Sequence, residues 1–329
     1  MAAPADADRT HPGGAVRVAT FNVLHGRVVR AGRPGALPPD GRAAGPLADA
    51  VASLDADVLA LQEVDHLQDR SGRIDQARAA AEAAGAVDWR YASALHGRSV
   101  LGQGWVLDPS VPRLRVHGPE AAGADGPAVP SHGLALLSRL PVLRWRAVRL
   151  SPAPAALPLR VVGRGGLTVV RDRPRVALAA VLAGRRGPFT AVALHLSFVP
   201  GWNVRQLLAV RRWIAAMPLP HVLLGDLNLV GPLPRLALAA AGAAGSGRRE
   251  VAERLHRGAA AQADRTLDGV APQRRWQRAA RGATYPAHRP MVQLDHVLVR
   301  GVHLSPVRPA ATPATSLSDH RPLVAELPL

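Results

Sequence analysis

The stretch HVLLGDLNL (residues 221–229) is an apolar run that ends in a glycine, an aspartate and, two residues later, an asparagine. The apolar run predicts a buried β-strand. Asp226 and Asn228 at its end allow two interpretations. They form an Asx turn, which is common after strands, or they are polar groups placed at a sheet edge for a reaction.

Other apolar segments of the chain end in the same manner. VATFN ends at Asn22, LALQE at Glu63 and AVALH at His195, while VQLDH carries Asp295 and SLSDH carries Asp319 and His320. Each residue alone has a structural explanation, such as a turn cap, a solvated strand end, a core histidine or an ion pair with arginine. Together they are the residue types that hold a divalent cation and transfer protons in phosphate ester hydrolysis. Mg²⁺ prefers oxygen ligands and often needs only one or two carboxylates, so Glu63 and Asp319 would suffice.

Composition sets the outer limits on the function. The chain has 329 residues with 48% hydrophobic content, which is enough for a sizeable core. No apolar run is long enough to cross a bilayer and the N-terminal segment does not resemble a signal peptide, so we expect a cytoplasmic protein. The chain has no cysteine, which excludes disulfides, thiolate metal sites and cysteine nucleophiles.

The net charge of +17 would attract polyanions such as nucleic acid or anionic membranes. The chain contains no lysine, its arginines are scattered, and only 3% of its residues are aromatic. A compositional bias therefore explains the charge at least as well as a dedicated binding face. We expect a phosphate ester substrate, with nucleic acid as one candidate, and no feature of the sequence indicates an obligate protein partner.

Strands and helices interleave without strict alternation, which predicts layered sheets faced by helices in one domain. We predict a flexible tail over residues 1–14 and a single domain over 15–329, with loop insertions near 108–132 and 238–277. The predicted strands cover 15–23, 57–64, 89–95, 133–138, 142–150, 175–183, 189–196, 221–229, 293–299 and 321–327. The predicted helices cover 47–54, 74–85 and 204–216. His96 and His132 are predicted to lie in loops.

The segments ATFNVLHG, LALQEVD, GLALLSRLPV, VALHLS, LLGDLNL, QLDHVLV and SLSDHRPL, in this order between Ala19 and Leu323, resemble the endonuclease/exonuclease/phosphatase family. That family includes DNase I, AP endonucleases, bacterial sphingomyelinases and inositol polyphosphate 5-phosphatases. The combination of QEVD, GDLN and SDHRP is specific, whereas any one of them alone is a weak signal. The resemblance implies a DNase I-like, four-layered α/β sandwich of two packed mixed sheets flanked by helices.

The resemblance also implies a role for each residue. Glu63 would be the principal Mg²⁺ ligand (Mn²⁺ can substitute), with Asn22 and Asp319 at or near the metal. Asp226 and Asn228 would orient the attacking water and bind phosphoryl oxygens. His320 would be the general base or a phosphate-polarising imidazole, with its tautomer fixed by Asp295. His195 would donate a hydrogen bond to the phosphate or the leaving oxygen, although the sequence does not identify the carboxylate that would orient it.

His195 also narrows the choice among the branches of this family. Abasic-site endonucleases lack a histidine at this position, so the resemblance to them is the weaker one. The expected function is Mg²⁺-dependent hydrolysis of a phosphodiester or phosphomonoester by in-line attack of water, as in a nuclease, phosphodiesterase or phosphatase. The alternatives are a lipid phosphodiesterase of the sphingomyelinase type and a non-catalytic, nucleic-acid-binding member of the same fold.

Overall fold

The computed structural model describes residues 14–35, 44–100, 104–111, 113–120, 129–159, 166–245, 275–304 and 311–329. The predicted tail, apart from Gly14, and residues 246–274 of the second predicted insertion lie outside the described residues.

The strands in chain order are β1 (Val16–Asn22), β2 (Val29–Arg30), β3 (Arg33–Pro34), β4 (Val58–His66), β5 (Asp88–Val100), β6 (Gly104–Leu107), β7 (Arg115–His117), β8 (Ser131–Ser138), β9 (Val142–Leu150), β10 (Ala156–Leu159), β11 (Thr168–Arg171), β12 (Arg175–Gly184), β13 (Gly187–His195), β14 (His221–Asp226), β15 (Gln277–Arg278), β16 (Asp295–Arg300) and β17 (Leu323–Leu327). The helices are α1 (Gly45–Ala52), α2 (Gln76–Ala84), α3 (Trp202–Trp213) and α4 (Leu233–Gly245).

Two mixed sheets form the body of the described structure. The first has the order β17-β1-β4-β8-β5-β6, with β7 also paired to β5, and β1 runs parallel to β4. The second has the order β15-β16-β14-β13-β12-β9, and β13 runs parallel to β14. The pairs β2–β3 and β10–β11 form separate two-stranded ribbons.

Alternating side chains divide each strand between two apolar layers. On β14, Leu224 packs into the core between the sheets, whereas Leu223 packs into the core beneath α3 and α4. On β4, Ala60 belongs to the core between the sheets and Leu61 to the core beneath α1 and α2. The order helix, sheet, sheet, helix confirms the predicted four-layered α/β sandwich.

The short peripheral strands are where the sequence-based assignment differs from the structure. β7 lies inside the segment predicted as a loop insertion near 108–132, and β2 and β3 lie inside a long predicted loop. His96 lies on β5 and His132 on β8, so the prediction that both are loop residues was wrong. Two- to four-residue strands with partly exposed side chains leave no alternating apolar pattern to detect.

Among the described residues, no helix has the length and apolar character needed to span a membrane.

Candidate active site

Three of the predicted site residues form one row across the second sheet. In the strand register, Asp226 at the end of β14 is paired with His195 on β13 and with Asp295 on β16. Side chains at paired positions point to the same face of a sheet. All three are almost fully buried, with at most 7% of their surface exposed. Gly225 permits this close pairing, because a Cβ there would overlap the carbonyl oxygen of Leu194.

Asn22 joins the first sheet to this row. Its Nδ2 donates to Asp226 Oδ2 and to Glu63 Oε1, each at 3.1 Å, while its Oδ1 accepts from the Leu24 amide. The parallel pairing of β1 with β4 places Asn22 beside Gln62. The register of β4 shifts between Gln62 and Val64, and Glu63 there has a left-handed backbone with φ 57°. This irregularity turns the Glu63 carboxylate toward Asn22.

The loop before β17 contributes His320 and Asp319. The Ser318 hydroxyl donates to the Asn22 carbonyl oxygen at 2.6 Å and accepts from the His320 amide at 3.1 Å, so the loop is tied to the end of β1. His320 Nδ1 lies 2.8 Å from Asp295 Oδ2, and its Nε2 lies 3.9 Å from Asp226 Oδ2. His320 is therefore oriented by Asp295 with its second nitrogen toward Asp226.

Asp226 forms an Asx turn with Asn228 and also faces the candidate site, so the two interpretations of HVLLGDLNL do not exclude each other. Asp226 Oδ1 accepts from the Asn228 amide at 3.0 Å, which is an Asx turn, while Oδ2 faces Asn22 and the two histidines. Asn228 lies beyond the strand with φ 49°, and its Nδ2 donates to the Leu196 carbonyl oxygen. The strand predicted over 221–229 therefore ends earlier, at Asp226, because the chain turns at this point.

His195 is positioned by an arginine. Nη1 of Arg175 lies 3.0 Å from His195 Nε2 and 3.1 Å from Nδ1, and Arg175 Nη2 lies 3.8 Å from Asp172 Oδ1. A guanidinium can only donate, so it favours an unprotonated nitrogen on the ring. Burial and the Arg175 charge hold the pKa of His195 well below its usual range.

The pKa values of His320 and Asp226 are both shifted from those of ordinary side chains. Burial lowers the pKa of His320, but the charge and hydrogen bond of Asp295 outweigh it and raise the pKa to about 10. Burial raises the pKa of Asp226 to about 6, against the opposing charge of His320. Perturbed titrating groups that share a pocket are typical of catalytic sites.

The half-buried carboxylates face the open side of the site. Burial raises the pKa of Glu63, but the surrounding imidazoles and the hydrogen bond from Asn22 outweigh burial and lower it. Burial, together with the charge of Glu63, raises the pKa of Asp319. A pocket of about 320 Å³ adjoins Asp319 and is also lined by Arg30, His288 and Arg321.

The donor set fits a hard divalent cation. Glu63, Asp226, Asp295 and Asp319 supply carboxylate oxygens, and the buried Asp295 Oδ1 has no hydrogen-bond partner. Ligand atoms of Asp226, Asp295 and His320 lie within 4.8 Å of one another. Buried carboxylates that outnumber their cationic partners are stabilised by a bound cation.

A second polar group beside Glu63 was missed by the sequence analysis. The Asp65 carboxylate receives two hydrogen bonds of 2.8 Å from Arg70 and lies 2.7 Å from His132 Nδ1. The Arg70 guanidinium also lies 5.2 Å from the centre of the Trp105 ring. Asp65 ends the QEVD motif, but no motif indicates that His132 is its partner, because the two are 67 residues apart in sequence and strand pairing brings them together.

Residues 19–320 match the model of the Endonuclease/Exonuclease/phosphatase family. No curated protein sequence matches the chain.

Solved structures with a similar fold include three proteins described as endonuclease/exonuclease/phosphatase proteins. The Leptotrichia buccalis protein has a TM-score of 0.52 at 13% identity, with 96% of this chain and 100% of that chain covered. The Beutenbergia cavernae protein has a TM-score of 0.50 at 19% identity, covering 95% and 71% respectively. The Bacteroides thetaiotaomicron protein has a TM-score of 0.50 at 16% identity, covering 95% and 97%.

These structural similarities concern the fold alone, and the family match covers nearly the whole chain. The chain belongs to the endonuclease/exonuclease/phosphatase family.

Proposed function

We propose that this protein is a divalent-metal-dependent hydrolase of phosphate esters. Members of the family generally act on phosphate esters. The observation that carries the proposal is the row His195, Asp226 and Asp295 across adjacent strands, joined through Asn22 to Glu63. This arrangement supports the proposal because it joins an imidazole, an amide and three carboxylates, which are residue types that can transfer protons and bind a cation.

The metal would be held by Glu63 and Asp319, with the remaining lone pair of Asn22 Oδ1 available to it. Bound there, Mg²⁺ or Mn²⁺ would neutralise negative charge on the phosphoryl oxygens. Asn22 Nδ2 fixes the Glu63 carboxylate in place, because it donates to Glu63 and Asp226 at the same time.

The chain's own residues would carry out the proton transfers. An oxygen of water forms a bond to phosphorus while the bond from phosphorus to the leaving oxygen breaks. Asp226 orients this water through Oδ2, and the nearby His320 Nε2 takes its proton or, when protonated, donates to a phosphoryl oxygen. Asp295 keeps His320 in the tautomer that presents Nε2 to the pocket.

His195 would position the phosphate, and Asn228 would hold the loop beside it. His195 lies 3.8 Å from Asp226 Oδ2 and is kept neutral by burial and Arg175, so it donates a hydrogen bond to the phosphate without adding charge. Asn228 supports the site through its Asx turn with Asp226, and its side chain fixes the loop to Leu196.

A hydrolysis assay tests this proposal. Metal-free protein is incubated with bis(p-nitrophenyl) phosphate and with p-nitrophenyl phosphate, with and without Mg²⁺ or Mn²⁺. We expect metal-dependent turnover that EDTA abolishes and that Asp226→Asn lowers by about 10²- to 10⁴-fold. The matched control Asp108→Asn changes a partly exposed aspartate that precedes a turn and binds Ser110, and it should keep parental turnover. Activity that survives both EDTA and Asp226→Asn would contradict the proposal.

The substrate class needs a separate measurement. Plasmid DNA, RNA, phospholipid vesicles and inositol phosphates are compared under identical metal conditions. Arg30, His288 and Arg321 around the pocket beside Asp319 favour a substrate with further anionic groups.

A further inference from the structure

A second cluster of metal-ligating side chains lies on the other face of the first sheet. His66 ends β4, Asp75 precedes α2, and His117 ends β7. On β4, Asp65 points toward His132 and the candidate active site, so its neighbour His66 points to the opposite face. The sheet therefore separates this cluster from the site described above.

We propose that His66, Asp75 and His117 form a binding site for a transition-metal ion of the Zn²⁺ class. One ligand atom from each residue lies within 4.8 Å of the other two. Asp75 Oδ2 lies 3.5 Å from His66 Nδ1 and 3.5 Å from His117 Nε2. Two imidazoles and one carboxylate form a ligand set that Zn²⁺ uses with a fourth, open position.

The distances fit a shared cation better than direct hydrogen bonds. Ordinary N–H···O bonds are about 2.7–3.2 Å long. Where the described residues contain a histidine–aspartate hydrogen bond, as in His320 with Asp295 and His132 with Asp65, the distance is 2.8 and 2.7 Å. Ligand atoms around a tetrahedral Zn²⁺ with bonds of about 2.0–2.1 Å lie roughly 3.3 Å apart.

The ring nitrogens of the cluster are also poorly satisfied. Apart from their 3.5 Å contacts with Asp75 Oδ2, His66 Nδ1 and His117 Nε2 are buried and have no hydrogen-bond partner. Asp75 Oδ1 accepts from the Arg78 amide as the N-cap of α2, which leaves Oδ2 facing the two imidazoles. A buried ring nitrogen without a partner is costly, and a metal ion would satisfy both nitrogens at once.

The backbone holds the three residues in place without the metal. His66 and Asp75 form a β-bridge, and His117 is paired with Tyr91 in the strand register. Between 19% and 23% of each of the three side chains is exposed, so an ion can enter from solvent. A bound ion would link the edge strand β7 to β4 and to the start of α2.

Cobalt substitution tests the proposal. The full chain carrying Glu63→Gln, to weaken the metal site proposed for catalysis, is stripped of metal and titrated with Co²⁺ in excess Mg²⁺. Imidazole-rich tetrahedral Co²⁺ sites absorb strongly in the visible range, whereas Mg²⁺ competes poorly for imidazole. We expect one equivalent of Co²⁺ to give this band, and Zn²⁺ to abolish it and raise Tm.

The variants His66→Gln and His117→Gln should lose both the band and the Zn²⁺-dependent rise in Tm. His303→Ala, which removes an exposed histidine elsewhere, should keep both. Circular dichroism verifies that each variant is folded, and two independent histidine variants guard against a folding defect in one. Absence of the band in the Glu63→Gln protein, or an unchanged band in folded His117→Gln, would overturn the proposal.

Discussion

Replacing Asp295 with asparagine tests the role of the contact between Asp295 and His320. Asparagine has the same shape, so the buried site keeps its packing but loses the charge that lies 2.8 Å from His320 Nδ1. Burial alone lowers the pKa of His320, and Asp295 is the largest influence that raises it to about 10. The variant should therefore lower the pKa of His320 markedly and leave the imidazole free to adopt the wrong tautomer.

The expected loss of kcat is about 10²- to 10⁴-fold, which is the range for removing general acid–base function. This corresponds to about 3–5 kcal/mol of transition-state stabilisation at 1.36 kcal/mol per tenfold. Steady-state hydrolysis of bis(p-nitrophenyl) phosphate measures kcat and KM, and the histidine C–H proton signals in NMR spectra report the titration of His320. We expect kcat to fall with little change in KM.

The control Asp108→Asn should retain parental values. If Asp295→Asn kept more than a tenth of parental kcat with an unchanged His320 titration, the assignment of Asp295 as the orienting group would be wrong.

Three further predictions concern the metal, the core and pH. Glu63→Gln should raise the Mg²⁺ concentration needed for half-maximal turnover by roughly 10- to 100-fold or more. An unchanged Mg²⁺ requirement would contradict the role of Glu63 as a metal ligand. Leu224→Ala, between the sheets, should lower the free energy of unfolding by about 2–5 kcal/mol in urea. The exposed-site control Leu143→Ala should change it by less than about 0.5 kcal/mol, and equal effects would contradict the layer assignment. Burial lowers the pKa of His296 to about 4 in the folded protein, whereas an unfolded histidine has a pKa of about 6.5. As pH falls below about 6.5 the unfolded chain therefore binds a proton that the folded protein does not, which lowers the free energy of unfolding. Between pH 7 and pH 5 the wild type should lose about 2 kcal/mol more stability than His296→Gln, and parallel losses would refute this.

The strands that carry the site could be predicted because their apolar runs are long and end in polar residues. The structure brings Asn22, Asp226, Asp295 and His320 together through hydrogen bonds and strand pairing, as their positions at strand ends suggested. Their chemical roles stay predictions that the experiments above address.

Other features depend on tertiary contacts that no local pattern records. Arg175 as the partner of His195 arises because the start of β12 lies beside the end of β13 in an antiparallel pair. The left-handed backbone of Glu63 comes from a register shift that involves β8, which is distant in sequence. The cluster of His66, Asp75 and His117 likewise joins a strand end, a helix cap and an edge strand of three residues.

In the proposed mechanism, Glu63, Asp319 and Asn22 surround one divalent ion beside Asp226 and His320. Anomalous diffraction from crystals soaked in Mn²⁺ locates such an ion directly. We predict a peak within bonding distance of the Glu63 carboxylate, and its loss in crystals of Glu63→Gln. An active protein whose crystals show no peak there, or the same peak without the Glu63 carboxylate, would contradict this metal site.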